Sequence, residues 1–368
     1  MSANFSSIPI LDYALLSSPD TRGTFVAQLR HALINVGFLY LSHAPVDPAD
    51  VAAVAAYAPR LFALPQAAKD RVRMARSPHF FGYSRLGAEL TKGRADQREQ
   101  FDFGTACDAR PWRAGDPEYR RLWGPSQWPD EALLPGFRAT FLRYLAQLEA
   151  LSAAFTRLLA EALGHAPGAL DAFFEDAAHM QHRAKVVRYP ARAPGAGGEP
   201  DQGVGPHFDS GFLTFLLQAT EHPGLQVQNL AGEWVDAPPL PGTFVVNIGK
   251  GLEVATRGAA RATSHRVRSP PPGSTPRYSV PFFQNIAQGI LVREHLLEPS
   301  PEIAKLQEER GAVRPSDSVN YAEYAELPAG QVNLIGRVKS HPDVAQRHYP
   351  ALFAQFFPDG LPAQASAY

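Results

Sequence analysis

The chain has 368 residues, 45% of them hydrophobic, enough apolar side chain for one large folded unit with a substantial core. Its 35 Lys and Arg against 36 Asp and Glu leave a formal charge of −1, which excludes a general electrostatic attraction to nucleic acid or an anionic membrane and points to a small-molecule partner, with the oligomeric state left open. A lone cysteine, Cys107, excludes an internal disulfide or a cysteine-based zinc site, and no stretch resembles a signal peptide or approaches the ~20 apolar residues that span a bilayer, so the expected location is cytoplasmic.

Ile8 to Asp12 reads as a short strand, followed by a helix from about Asp20, with Phe25, Leu29 and Leu33 on one face, to a stop at Gly37. Phe38 to Leu41 is an expected buried strand. Asp47-Pro48 is a helix start, and the helix it opens is expected to break near Pro59. Residues 76 to 113 show no regular period but hold Phe80, Phe81, Tyr83, Phe101, Phe103 and Trp112, so they read as a long loop packed by its own aromatics. From Pro135 to Gly164 the spacing of Phe137, Phe141, Leu145, Leu148, Leu151, Phe155 and Leu159 predicts a long amphipathic helix, and a shorter one is expected around Leu170 to Phe174.

Beyond that point the period changes. Ala184 to Tyr189, Phe212 to Ala219, Leu225 to Gln228, Thr243 to Ile248, Thr263 to Val267 and Arg277 to Phe283 are short strand-like runs divided by Pro and Gly turns, as in a sandwich, barrel or jelly roll. Helical signals return at Pro301–Arg310 and Asp343–Phe353, before a polar tail.

His207-Phe208-Asp209 carries an imidazole and a carboxylate two residues apart, a spacing that shares one face on a strand. His265 lies 58 residues on and would supply a second imidazole. Two histidines and one carboxylate suit a non-haem Fe(II) site with open positions. A second pair, Arg277 and Ser279, offers a guanidinium and a hydroxyl able to clamp a carboxylate, and the apolar run after it implies burial, where an arginine requires an anionic partner.

GPHFDSGFLTFLL, TSHRV and PRYSVPFF resemble the iron-dependent oxygenases of the isopenicillin N synthase-like, 2-oxoglutarate-dependent superfamily, and PILDY, GFLYLSH and FALPQAAKDR resemble its N-terminal region. The resemblance implies an α+β fold: a double-stranded β-helix, or jelly-roll, core with flanking N-terminal and C-terminal helices. It divides one compact unit into an N-terminal region (1–115) with a substrate-covering loop, a helical segment (116–180), the jelly-roll core (181–300) and a C-terminal helical extension (301–368). It implies that His207, Asp209 and His265 bind Fe(II) and that Arg277 and Ser279 hold 2-oxoglutarate, with O₂ as the oxidant. Tyr189 matches a place where the family contacts the co-substrate, though the Asn-x-Tyr pattern of plant members is missing and a packed strand-end tyrosine is the alternative. Phe283, Arg188 and Tyr83 are substrate-contact candidates. The implied activity is oxidation of a small organic substrate by hydroxylation, desaturation or cyclisation, with release of succinate and CO₂. An oxidase that takes no electrons from 2-oxoglutarate, or an ethylene-forming type, would share the Arg-x-Ser pair, and a jelly-roll binding protein without catalysis is the non-enzymatic reading.

Overall fold

Alternating chemistry along a few strands decides where everything else packs. The computed structural model describes residues 4–106, 111–193, 202–311 and 326–361; Cys107 and the polar tail lie outside them. The N-terminal half supplies β1 (Ile10–Asp12), α1 (Pro19–His31), β2 (Phe38–Ser42), α2 (Pro48–Phe62), α3 (Gln66–Arg71), β3 (Gly82–Ser84), the small β4 (Leu90–Thr91) and β5 (Arg94–Ala95) pair, β6 (Glu99–Gly104) and α4 (Phe137–Ala162). The C-terminal half supplies β7 (Arg183–Tyr189), β8 (Gln202–His207), β9 (Leu213–Gln218), β10 (Leu225–Gln228), β11 (Trp234–Asp236), β12 (Thr243–Ile248), α5 (Lys250–Ala255), β13 (His265–Arg268) and β14 (Arg277–Phe283). It then closes with α6 (Pro301–Arg310), α7 (Ala329–Ser340), α8 (Pro342–His348) and α9 (Pro350–Phe356).

The strands form a major sheet in the order β1-β2-β12-β9-β14-β7-β6-β3 and a minor sheet in the order β11-β10-β13-β8, apart from the β4–β5 pair. Non-consecutive neighbours such as β9 between β12 and β14 are the crossovers of a jelly roll. The outer face of the major sheet is apolar over most of its area: Phe101, Phe103, Val186, Phe215, Val280 and Phe282 join α1, α2 and α4 in one buried core. The predicted long helix is α4, and its Phe155 ring meets Phe215 edge to face at 5.7 Å, while Phe141 meets Phe103 at 5.1 Å. The inner face, with Val187, Val204, Leu225, Val227, Val245 and Val267, closes on the minor sheet.

Three local expectations change. The helix that Asp47 caps runs through Pro59 to Phe62, because Leu61 and Phe62 are buried and hold the last turn despite the lost N–H. Residues 76 to 113 are not only loop: β6 is wholly buried and pairs with β7, with Phe101 and Phe103 facing the helices and Gln100 and Asp102 facing inward. Its inward side chains are polar, so the alternation lacks the usual apolar-core signature. The segment around Leu170 to Phe174 makes only a 3₁₀ turn, and the expected Asp343–Phe353 helix is split into α8 and α9 at Tyr349-Pro350.

One glycine is demanded by geometry. Gly37 ends the first helical segment at φ 75°, and a Cβ there would sit 2.3 Å from the Arg261 carbonyl oxygen, so the chain enters β2 only with glycine at this place. Among the described residues no helix is long and apolar enough to cross a membrane.

Candidate metal and carboxylate site

His207 closes β8 and His265 opens β13, and the antiparallel register sets the two directly opposite each other, with ring centroids 4.2 Å apart. Asp209 lies two residues past the end of β8, so strand alternation alone does not aim it. Its Oδ2 accepts hydrogen bonds from Thr214 Oγ1 on β9 and from Asn247 Nδ2 on β12 (2.7 Å), which leaves Oδ1 turned toward both imidazoles, 3.8 Å from each Nε2. One donor atom from each of the three residues lies within 4.8 Å of the others, an arrangement able to hold a metal ion.

The histidines are oriented from behind. His207 Nδ1 lies 2.9 Å from the Gly205 carbonyl oxygen and His265 Nδ1 lies 3.2 Å from that of Thr263. A carbonyl only accepts, so each Nδ1 carries the proton and each Nε2 presents a lone pair to the centre. Phe38 packs edge-on against His265 at 5.2 Å and fixes its ring. Burial, with the neighbouring His265, pushes the His207 imidazole well below its ordinary pKa. Burial would raise the Asp209 carboxyl, but His265, His207 and the Asn247 and Thr214 hydrogen bonds together hold it below its ordinary value. Both effects favour the deprotonated forms that bind metal.

Along β14, Arg277, Ser279 and Phe283 share the inner face, since the intervening Tyr278, Val280 and Phe282 pack on the outer core. Arg277 is only 1% exposed, and among the described residues it faces no carboxylate. Its Nη2 donates to Gln218 Oε1 at 2.9 Å, whereas Nε and Nη1 are buried without a hydrogen-bond partner. Burial lowers the guanidinium pKa, opposed by Tyr189, whose ring centre lies 5.2 Å from it. Ser279 is buried beside Gln218 and Val187. Tyr189 therefore joins Arg277 and Ser279 on the inner face.

Arg188 and Tyr83 are elsewhere. Both reach Glu99 on the outer face of the sheet, where Arg188 Nη1 pairs with Glu99 Oε1 and the Tyr83 hydroxyl donates to Oε2 at 2.7 Å, with Lys69 Nζ at 3.5 Å. Odd and even positions on β7 point opposite ways, so Tyr189 and Arg188 cannot both face the histidines. Phe283 does stand near them: across the sheet it opposes Thr214, the hydrogen-bond partner of Asp209. Sequence reading passed over Thr214, Asn247 and Gln218. Their signal was present, because each is a polar residue facing inward from an otherwise apolar strand.

Residues 8–131 match a family model described as the non-haem dioxygenase in morphine synthesis N-terminal region, and residues 181–286 match the 2OG-Fe(II) oxygenase superfamily. The chain is 41% identical over 358 residues, 95% of each chain, to the 2-oxoglutarate-dependent dioxygenase frbJ of Dothideomycetidae sp. (strain 11243). It is 32% identical over 295 residues, 77% of this chain and 86% of the relative, to a homoarginine-6-hydroxylase of Glycine max. Among solved structures, a full-length Neurospora crassa protein in complex with alpha-KG superposes with a TM-score of 0.66 at 25% identity, covering 89% of this chain and 96% of that one.

Proposed function

Because the chain belongs to the 2-oxoglutarate-Fe(II) oxygenase superfamily, we propose that His207, Asp209 and His265 hold its iron and that Arg277, with Ser279 and Tyr189, holds the far carboxylate of 2-oxoglutarate. The enzyme uses Fe(II), 2-oxoglutarate and O₂ to oxidise a small organic substrate, with release of succinate and CO₂.

The residues suit both groups. Two imidazole nitrogens and one carboxylate oxygen on one side are the donor set of non-haem Fe(II). The observation that carries the assignment is the way each ligand's other polar atom is already used, Nδ1 on a carbonyl and Oδ2 on Thr214 and Asn247, so that the free atoms converge. A buried guanidinium with two unpartnered nitrogens requires an anion, and a dicarboxylate bound across the inner face supplies one.

When bound, iron and 2-oxoglutarate would supply, from O₂, an oxidant able to remove hydrogen from a nearby carbon. Residues of this chain set the conditions for that step. Arg277 neutralises the co-substrate's far carboxylate and fixes its direction. Thr214 and Asn247 hold Asp209 to one binding oxygen. Phe283, on the same face as Thr214, forms part of the wall against which a substrate carbon rests, and the apolar inner strands exclude water from the reaction.

The test is stoichiometry. Iron-loaded protein supplied with 2-oxoglutarate should form one succinate per O₂ consumed; oxygen uptake independent of 2-oxoglutarate would overturn the assignment of Arg277. The compounds named for relatives, JA in one solved complex, auxin for a rice dioxygenase and homoarginine in the hydroxylases, point to small organic molecules with polar groups as the class to screen.

A further inference from the structure

Next to Phe283 on the inner face of the major sheet stands Arg183, which lines a charged pocket. Directly across the sheet, Thr214 opposes Phe283 and Phe283 opposes Arg183, so these three side chains stand in one row on the inner face. With neighbouring strands about 4.8 Å apart, Arg183 is two strands, roughly 10 Å, from the residue that holds Asp209. Arg183 lines a small cavity with Asn285, Gln288, Asn333 and Arg337, the last two from α7.

Arg183 is locked in place. Its Nη1 donates to the Phe80 carbonyl at 2.5 Å and its Nη2 to that of His79 at 2.7 Å, and its guanidinium lies 4.2 Å from the Phe81 ring centre. The amides beside it are also engaged: Asn285 Nδ2 donates to the Gln181 carbonyl at 2.7 Å and Gln288 Nε2 to that of Tyr119 at 3.0 Å. Arg337 differs, because the carboxylate within ion-pair reach of it, Asp102, is 3.9 Å away and is shared with Arg183 (3.4 Å) and Lys185 (3.9 Å), while Glu89 acts on it from farther off.

Among the described residues the charges do not balance. Arg98, Arg183, Lys185 and Arg337 share Glu89, Asp96 and Asp102, and burial raises the Asp96 pKa, which weakens even that share of negative charge. Arg183 and Arg337 repel each other, and burial with that repulsion lowers the Arg183 pKa. Arg183 is buried and Arg337 partly exposed, and two guanidinium groups facing one cavity with fewer carboxylates than cations among the described residues make a site that an anion completes. The cavity, about 20 Å³, offers little more room than one water molecule needs, so it takes the end of a ligand and not its body.

We infer that the substrate carries a carboxylate, read by Arg337 against the fixed Arg183, several bonds from the carbon that is oxidised. This rests on the proposed function, since it places the reacting carbon at Phe283, beside the proposed iron site. Arg337 lies on α7, outside both matched family regions, which makes the acid pocket a property contributed by this chain's C-terminal helices.

The experiment uses the full chain loaded with Zn(II), a redox-inert ion, and saturated with 2-oxoglutarate, so that the carboxylate site at Arg277 is filled. Saturation-transfer NMR then compares acetate, butyrate, benzoate and phenylacetate with their primary amides. Carboxylates should show contact and amides little. Arg337→Gln should weaken the carboxylates on the order of ten-fold or more, as expected for loss of a charge-assisted hydrogen bond, and bring them level with the amides. Arg337→Lys should restore part of the preference, and equal melting temperatures for the three proteins would exclude a folding defect. No carboxylate contact, equal contact by amides, or an undiminished preference in Arg337→Gln would overturn the inference. Failure of 2-oxoglutarate itself to bind would instead count against the proposed function, so the two failures are distinguishable.

Discussion

Arg277→Met removes a buried positive charge that donates to neutral Gln218 and has two nitrogens, Nε and Nη1, without a hydrogen-bond partner. If those two groups each make a charge-assisted hydrogen bond to 2-oxoglutarate, at about 1.5–3 kcal/mol apiece, the variant loses about 3–6 kcal/mol of binding, or roughly 10²–10⁴-fold in affinity. Stability without ligand should move the other way. A buried cation lacking a counter-charge is costly, and methionine fills similar space, so the ligand-free variant should melt at or above the wild type. At 2-oxoglutarate one hundred times its wild-type dissociation constant, the wild type gains about 2.7 kcal/mol and the variant about 0.4 kcal/mol or less. Calorimetric melting of the Zn(II)-loaded proteins with and without 2-oxoglutarate reads both effects. A variant that keeps the full wild-type increment would refute the reasoning, because the carboxylate would then be held elsewhere.

Asp209→Ala should abolish stable metal binding, since two imidazoles remain, and Asn247→Ala, which frees Oδ2, should weaken it about 10–100-fold; titration with Fe(II) under anaerobic conditions or with Zn(II) checks both. Glu149 is pushed up to about 7 by burial, with Oε1 unpartnered and His182 Nε2 3.8 Å away. Its folded pKa lies above the ordinary 4.5, so the unfolded chain ionises first and stability falls as pH rises from about 4.5 to 7. Glu149→Gln should therefore lose less melting temperature between pH 5 and pH 8 than the wild type does, and an unchanged slope would assign the pH dependence to other groups.

Local pattern was enough to read the helix from Phe137 to Ala162 and most strands of the C-terminal half, because each has a period set by its own side chains. It also identified His207, Asp209, His265, Arg277 and Ser279 as chemically matched residues. What it lacked was pairing between distant strands. Alternation along β7 shows that Arg188 and Tyr189 point opposite ways, but only the sheet, with Phe101 and Phe282 packed on one side and Val187 and Val204 on the other, decides that Tyr189 faces Arg277 while Arg188 turns to Glu99. Asp209 is aimed by Thr214 and Asn247, residues 5 and 38 positions away, not by the strand it follows. The pocket at Arg183 and Arg337 was wholly beyond the sequence, because it joins β7 to a helix about 150 residues later, and its two guanidinium groups meet only once those elements are packed together.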